Sequence, residues 1–232
     1  MLILGIETSG PHGGIAICQD GVCLAESQLE NAPRRHAQTL VIQIRDMFNR
    51  LGLRFSMLDA VAVSVGPGSF TGLRVGVVCA KTLAYATGCR LAAVDTLEAI
   101  AANSPPEVAS VNVIDDAQRG DIFVATYHRS SDVGWLRNAP PAIFRADAWL
   151  ASLTEGEIVS GPGLANYCDS AGRIWRCLPE TLWTPRARTV ATIGALQIER
   201  GLSADCAALE PFYVRRSAAE EKADPAGSAT VN

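Results

Sequence analysis

The stretch Gly66-Pro67-Gly68-Ser69-Phe70-Thr71-Gly72-Leu73-Arg74-Val75-Gly76 decides the fold, because it joins a predicted strand to a predicted helix. The strand covers residues 58–65, a short apolar run that is rich in β-branched side chains. The helix covers residues 71–87 and ends at Gly88. A turn of this kind leaves the first backbone N–H groups of the helix free, and Ser69 or Thr71 can cap them.

The stretch fits neither of two common phosphate-binding loops. Leu73 stands where a Walker loop requires lysine, and Thr71 stands where the dinucleotide fingerprint requires glycine or alanine. Small residues recur instead at every fourth position of the helix, namely Gly72, Gly76, Ala80, Ala84 and Gly88. Glycine inside a helix costs about 0.5–1 kcal/mol relative to alanine. The ridge therefore indicates the close approach of another element, which is either the chain's own sheet or a partner helix.

Composition places the chain among globular proteins. The 232 residues are 48% hydrophobic and carry a net charge of −4, which argues against a nucleic-acid surface as the main feature of the fold. No apolar run approaches the roughly 20 residues of a membrane span, and the first seven residues lack a signal peptide's basic start. The seven cysteines contain no C-x-x-C pair, so we expect reduced, mostly buried thiols and no zinc site.

The undecapeptide resembles the signature of the TsaB (YeaZ) family, and the resemblance covers residues 1 to about 216. Members of this family are non-catalytic subunits of the bacterial machinery that makes threonylcarbamoyladenosine in tRNA. The resemblance implies an α/β fold with two actin-like (ASKHA, ribonuclease H-like) domains, in which mixed sheets are flanked by helices.

The predicted domains are residues 1–103 and 104–216, followed by a disordered tail over 217–232. The boundary is placed at Ser104-Pro105-Pro106 because two prolines interrupt the chain there. A second Gly-Pro-Gly turn, at residues 161–163, also follows a predicted strand, which hints at an internal duplication. Residues 130–141 are predicted to form a loop.

The first turn of the chain is a candidate nucleotide site. A strand, a small-residue turn and a hairpin resemble the opening of actin-like ATPases and sugar kinases, in which the first turn holds phosphate. This resemblance would assign Glu7, Thr8 and Ser9 to nucleotide binding. An ordinary hairpin with a glycine-rich turn is the alternative.

The sequence does not provide a complete catalytic site. Thr96 and Ile100 stand where the related enzyme TsaD carries a metal-binding histidine pair, so no metal is expected. Asp115 and Asp116 begin the turn after a strand predicted over residues 108–114. Adjacent carboxylates that leave a strand point to opposite faces, which favours a hydrogen-bonded hairpin over a catalytic dyad. A stand-alone small kinase or a glycoprotease-like peptidase of the same superfold remains the alternative function.

The resemblance also implies the partners. These are TsaD and TsaE, with tRNA contacted indirectly and a homodimer formed when TsaD is absent. We expect no membrane contact, a cytoplasmic location and no stably bound cofactor, since the partner proteins use ATP and magnesium. The expected docking surface consists of the helices at 35–51 and 71–87. A lone histidine at a helix start, such as His36, is more often a surface or capping residue than a ligand or base. The full predicted set is His36, Leu40, Ile44, Met47, Gly68, Phe70, Thr71, Gly72, Arg74, Val75 and Gly76.

Overall fold

The computed structural model describes residues 1–29, 33–132, 134–168 and 173–214, with the side chains of the first helix described from Thr39 onward. The chain forms two mixed β-sheets flanked by helices, which is the α/β, actin-like class that the sequence predicts. The predicted tail and Arg215 lie outside the described residues.

The first sheet has the order β3-β2-β1-β4-β5. Strands β2 and β3 form an antiparallel hairpin beside β1, whereas β1, β4 and β5 are parallel. Its strands are β1 (Leu2–Glu7), β2 (Gly14–Gln19), β3 (Val22–Gln28), β4 (Ala60–Gly66) and β5 (Arg90–Asp95).

The second sheet repeats this arrangement in the order β8-β7-β6-β10-β11, with β9 also paired to β7. Its first three strands are antiparallel neighbours, and its last three are parallel. The two Gly-Pro-Gly turns follow β4 and β10, which hold equivalent places, so the predicted duplication is confirmed at the level of topology. The strands are β6 (Ser110–Gln118), β7 (Asp121–Ser130), β8 (Gly134–Arg137), β9 (Ala142–Arg145), β10 (Ile158–Ser160) and β11 (Arg176–Cys177).

Side-chain alternation along the strands places a helical layer on each face of the first sheet. Leu2, Leu4 and Ile6 face α1 (Pro33–Arg50) and α2 (Phe70–Thr87). Ile3 faces α5 (Ala187–Glu199) on the opposite side. Helix α5 falls within the predicted second domain yet packs on the first sheet, so a division at residue 104 does not separate the two layered units. The remaining helices are α3 (Thr96–Ala101) and α4 (Ala146–Ser152).

Two expectations from the sequence are wrong. The predicted loop over 130–141 contains strand β8, which pairs with β7 from Tyr127 to Ser130. The cysteines are not all free thiols, because Cys168 and Cys177 are joined in a disulfide with their Cα atoms 6.3 Å apart. Among the described helices, none has the length and apolar character needed to cross a membrane.

Candidate functional site

The first turn of the chain is held by hydrogen bonds to the side-chain carboxylate of Glu7. Glu7 lies buried at the end of β1, and its Oε1 accepts hydrogen bonds from the Ser9 N–H and the Ser9 hydroxyl, both at 2.5 Å. Burial raises the pKa of Glu7, against the opposing effect of the hydrogen bonds from Ser9 and Ser64. The Ser9 N–H, which a phosphate would require, is therefore already used inside the turn. Nucleotide binding by Glu7, Thr8 and Ser9 stays a prediction.

The signature turn is bonded directly to this first turn. The N–H of Ser69 donates to the carbonyl oxygen of Ser9 at 2.6 Å, and the Ser69 hydroxyl caps α2 by accepting from the Gly72 N–H at 3.3 Å. Gly68 has a φ of +154°, and a Cβ there would lie 2.6 Å from the Ser9 oxygen. The motif thus holds the start of α2 against the end of β1.

The small-residue ridge of α2 packs inside the chain. A Cβ on Gly72 would overlap the backbone oxygen of Thr8, and a Cβ on Gly76 would overlap the Thr8 hydroxyl and lie 3.4 Å from Val63. Both glycines are buried. The expectation that Gly72 and Gly76 contact a partner is therefore wrong, because their close neighbour is the first turn of the same chain.

A cleft of about 610 Å³ lies between the two sheets. One wall is the first turn and the signature, including Gly68, Phe70 and Thr71, and the other is the β6–β7 hairpin. The hairpin is held by local hydrogen bonds, as the sequence predicts. Asp115 Oδ1 accepts from the Asp116 N–H at 2.8 Å. Burial raises the pKa of Asp115 to about 7, and the nearby charges of Asp116 and Glu7 add to this effect.

Three side chains connect this cleft to the outer surface of α2. The Arg74 guanidinium lies 3.9 Å from the centre of the Phe70 ring, and its Nε donates to the Tyr213 hydroxyl at 3.0 Å. The Phe70 and Tyr213 rings are 4.6 Å apart, and both rings line the cleft. Arg74 is exposed and also lines a second depression, which lies on the far side of Arg74 from the Phe70 and Tyr213 rings.

This second depression is an apolar groove of about 470 Å³ between α1 and α2, hereafter the α1–α2 groove. Leu40 and Ile44 form buried parts of its floor, and Val75 is half-buried in its wall. Met47 is as buried as Leu40 and Ile44 but does not line the groove, so its part in docking stays a prediction. The lining residues are Leu40, Val41, Ile44, Phe55, Arg74, Val75, Val78, Cys79, Thr82 and Leu83.

Sequence reasoning missed the apolar side chains that α1 and α2 leave exposed. Val41 is 61% exposed, Val78 is 62% exposed, and Ile42 and Tyr85 are exposed as well. The signal was present in the spacing, because Arg74, Val78 and Tyr85 follow one another at intervals of four and seven, on the face opposite the ridge. His36 lies in α1, but its side chain is outside the described set.

Thr96 and Ile100, which stand at the positions of the TsaD histidine pair, stabilise the fold of this chain. The Thr96 hydroxyl is buried and accepts a hydrogen bond from the Gly66 N–H at 3.2 Å. Ile100 is fully buried in the core of the second sheet. Within the described ranges, no three histidine, cysteine or acidic side chains are grouped in a way that could hold a metal ion.

Comparisons with known proteins place the chain in a family. A family model described as TsaD, tRNA N6-adenosine threonylcarbamoyltransferase, matches residues 26–141. The TsaB protein of Bacillus subtilis is 32% identical over 67% of this chain and 67% of its own length. The TsaB protein of Escherichia coli is 26% identical over 96% of this chain and 98% of its own.

A solved structure shares the fold over nearly its full length. YeaZ from Pseudomonas aeruginosa superposes with a TM-score of 0.78 at 22% identity, covering 91% of this chain and 99% of that one. The family assignment rests on the similarity to the Bacillus subtilis protein, and the signature turn and the duplicated sheet topology are consistent with it. The chain belongs to the TsaB (YeaZ) family.

Proposed function

We propose that this chain is a non-catalytic subunit of the machinery that makes threonylcarbamoyladenosine in tRNA. It binds TsaD through the α1–α2 groove and, with TsaD and TsaE, supports transfer of the threonylcarbamoyl group to adenosine 37. The observation that supports this proposal most directly is the apolar groove, whose lining includes the exposed side chains of Val41 and Val78.

The net positive charge of α1 and α2 supports a protein partner whose docking surface carries negative charge. Residues 33–50 and 70–87 together contain six arginines or lysines and one aspartate, in a chain with a net charge of −4. Arg74 is the charged side chain among the described groove residues. A partner surface that is apolar with an acidic group opposite Arg74 is complementary to this face. The apolar groove favours a protein over tRNA as the direct occupant.

The match to TsaD supports a symmetric mode of docking. The matched range, residues 26–141, contains both α1 and α2, so the relatives that the model describes carry a corresponding pair of helices. Two such pairs can pack face to face as a four-helix layer. A second copy of this chain offers the same pair, so the proposal includes a homodimer when TsaD is absent. The tRNA is then reached through TsaD.

The proposal includes no cofactor held stably by this chain, and ATP and magnesium are used by TsaD and TsaE. The closed first turn supports this part, because Glu7 takes up the Ser9 hydrogen-bond donors. Measurable ATP turnover or peptide cleavage by the purified chain alone would instead favour an independent enzyme.

The test replaces Val78 with aspartate and uses Val22→Asp as the matched control. Both valines are 62% exposed, but Val22 lies on the edge strand β3, away from the groove. A carboxylate buried without a partner costs several kcal/mol, so Val78→Asp should weaken TsaD binding by roughly a hundredfold. Titration calorimetry with TsaD measures the affinity, and thermal melting confirms that each variant is folded.

Reconstituted threonylcarbamoyl transfer to tRNA provides the second readout. The Val78→Asp protein should support little transfer at subunit concentrations near the wild-type affinity, whereas Val22→Asp should match wild type. Equal binding by both variants would remove the groove from the interface. A folded Val78→Asp protein that binds TsaD normally but fails in transfer would contradict docking through the groove and would indicate that this face acts after TsaD has bound.

A further inference from the structure

The hairpin of β2 and β3 places two cysteines directly opposite each other. Its two turn residues, Asp20 and Gly21, have φ values of +49° and +82°, as a two-residue turn of the primed type requires. Gln19 and Val22 flank the turn, and the next pair along the ladder is Cys18 with Cys23. Hydrogen-bonded and non-hydrogen-bonded pairs alternate along an antiparallel ladder, and in the non-hydrogen-bonded class, to which the second pair belongs, the Cα atoms are typically about 4.5 Å apart. This separation lies within the range of natural disulfides.

The two thiols differ in environment but interact with each other. Cys18 is 4% exposed and lies in the core beneath α5, whereas Cys23 is exposed on the edge strand. Burial raises the pKa of Cys18 to about 12, and the charge of Cys23 and a hydrogen bond with Cys23 add to the rise. The other charged groups that act on Cys18 are Glu26, which raises its pKa, and Arg188, which lowers it.

We propose that Cys18 and Cys23 form a redox modification site, a dithiol that closes to a cross-strand disulfide when the chain meets an oxidised thiol compound. Cys23, the accessible member, attacks one sulfur of a small disulfide, forms a mixed disulfide and releases one thiolate. Cys18 then loses its proton to solvent and attacks the Cys23 sulfur, which expels the second thiolate. The protein dithiol loses two electrons and two protons, and the small disulfide becomes two thiols.

The strand pairing places the second thiol beside the first, and this proximity favours the second step even though burial raises the pKa of Cys18. Cys18 pairs with Cys23 next to a shift in strand register between Ile17 and Cys18, and the two thiols are close enough to share a hydrogen bond. A mixed disulfide at an isolated surface cysteine would persist, whereas the one at Cys23 should be resolved internally.

This site is independent of the proposed docking function. Cys18 packs on the α5 face of the first sheet, and the α1–α2 groove lies on the opposite face. Oxidation of the hairpin should therefore leave TsaD affinity unchanged, and failure of either proposal leaves the other intact.

The probe is oxidised glutathione added to the reduced, full chain, followed by alkylation and mass spectrometry. Tryptic peptide 1–34 contains Cys18 and Cys23 and no other cysteine, so its mass reports this pair alone. We expect a peptide that has lost two hydrogens, and the doubly alkylated form should fall by roughly tenfold as the glutathione ratio becomes oxidising. Cleavage before Asp20 should separate Cys18 from Cys23 only after reduction.

The Cys23→Ser variant is the matched control because it removes the accessible thiol, and Cys18→Ser is the second variant because it removes the buried thiol. Cys23→Ser should leave Cys18 unmodified because the thiol is buried, and Cys18→Ser should retain glutathione on Cys23. A stable glutathione adduct on Cys23 in the wild-type chain would overturn the proposal. Oxidation at Cys89 or Cys206 with peptide 1–34 fully alkylated would also overturn it.

Discussion

Adding one methyl group to the inner ridge of α2 should destabilise the chain, and the structure predicts which addition can be rescued. At Gly76 the obstacle is the Thr8 hydroxyl, which a substitution can remove, whereas at Gly72 it is the Thr8 backbone oxygen. Each glycine-to-alanine change gains about 1 kcal/mol of helix propensity but costs about 1–3 kcal/mol or more in overpacking. We expect a net loss of about 1–2 kcal/mol, or about 2–8 °C in melting temperature for a chain of this size.

The decisive measurement is a double-substitution cycle with Thr8→Ala. The buried Thr8 hydroxyl has no hydrogen-bond partner among the described residues, so its removal alone should change stability little. Thr8→Ala should restore most of the stability lost in Gly76→Ala but none of that lost in Gly72→Ala. Gly10→Ala is the control, because a Cβ there meets nothing within 4 Å. Urea and thermal unfolding that show equal rescue at both positions, or no loss at either, would refute the inward packing of the ridge.

Three further outcomes follow from charged groups. The pKa of Asp115 is raised to about 7, so the folded wild-type chain holds a proton that the unfolded chain releases above about pH 4. The free energy of unfolding of Asp115→Asn, measured in urea titrations, should therefore rise relative to wild type by on the order of 3 kcal/mol between about pH 4 and pH 8. Wild-type stability therefore falls with rising pH in that window, and a flat difference would contradict the assignment. Arg74→Ala should cost only about 0.5–1 kcal/mol of stability through its loss from the exposed stack with Tyr213, yet weaken TsaD binding in the same titration used for the groove. Asp95→Ala should cost about 1–3 kcal/mol in thermal unfolding because it removes the α3 cap and the partner of Arg137, whereas Asp95→Asn should retain the cap.

The sequence predicted local elements well where the chemistry is local. The strand before the signature, the helix that ends at Gly88 and the cap at Ser69 are all confirmed, since each depends on residues within a few positions. The missed strand β8 lies in a segment of glycine, asparagine and proline that lacks apolar alternation, and its pairing with β7 supplies the stabilisation. The return of α5 to the first sheet is a long-range contact that no local pattern encodes.

The candidate site was predicted less completely, because periodicity identifies a face without identifying its neighbour. The spacing of Gly72 and Gly76 correctly indicated a close approach, but the same spacing fits a partner helix and the chain's own first turn. The cysteine pairs show the same limit. Cys168 and Cys177 are nine positions apart and carry no recognised motif, so only the folded arrangement brings them together.

The proposed docking function assigns different roles to the two faces of helix α2. Its inner residues, Gly72 and Gly76, pack against the first turn, while Arg74 and Val78 point outward along the groove. Because 3.6 residues complete a turn, positions two apart lie on nearly opposite faces, which separates Gly72 and Gly76 from Arg74 and Val78. Substitutions on the inner face should change stability with little direct effect on TsaD affinity, and those on the outer face should do the reverse. Under the proposed function, the signature then has a folding role on its inner side and a binding role on its outer side.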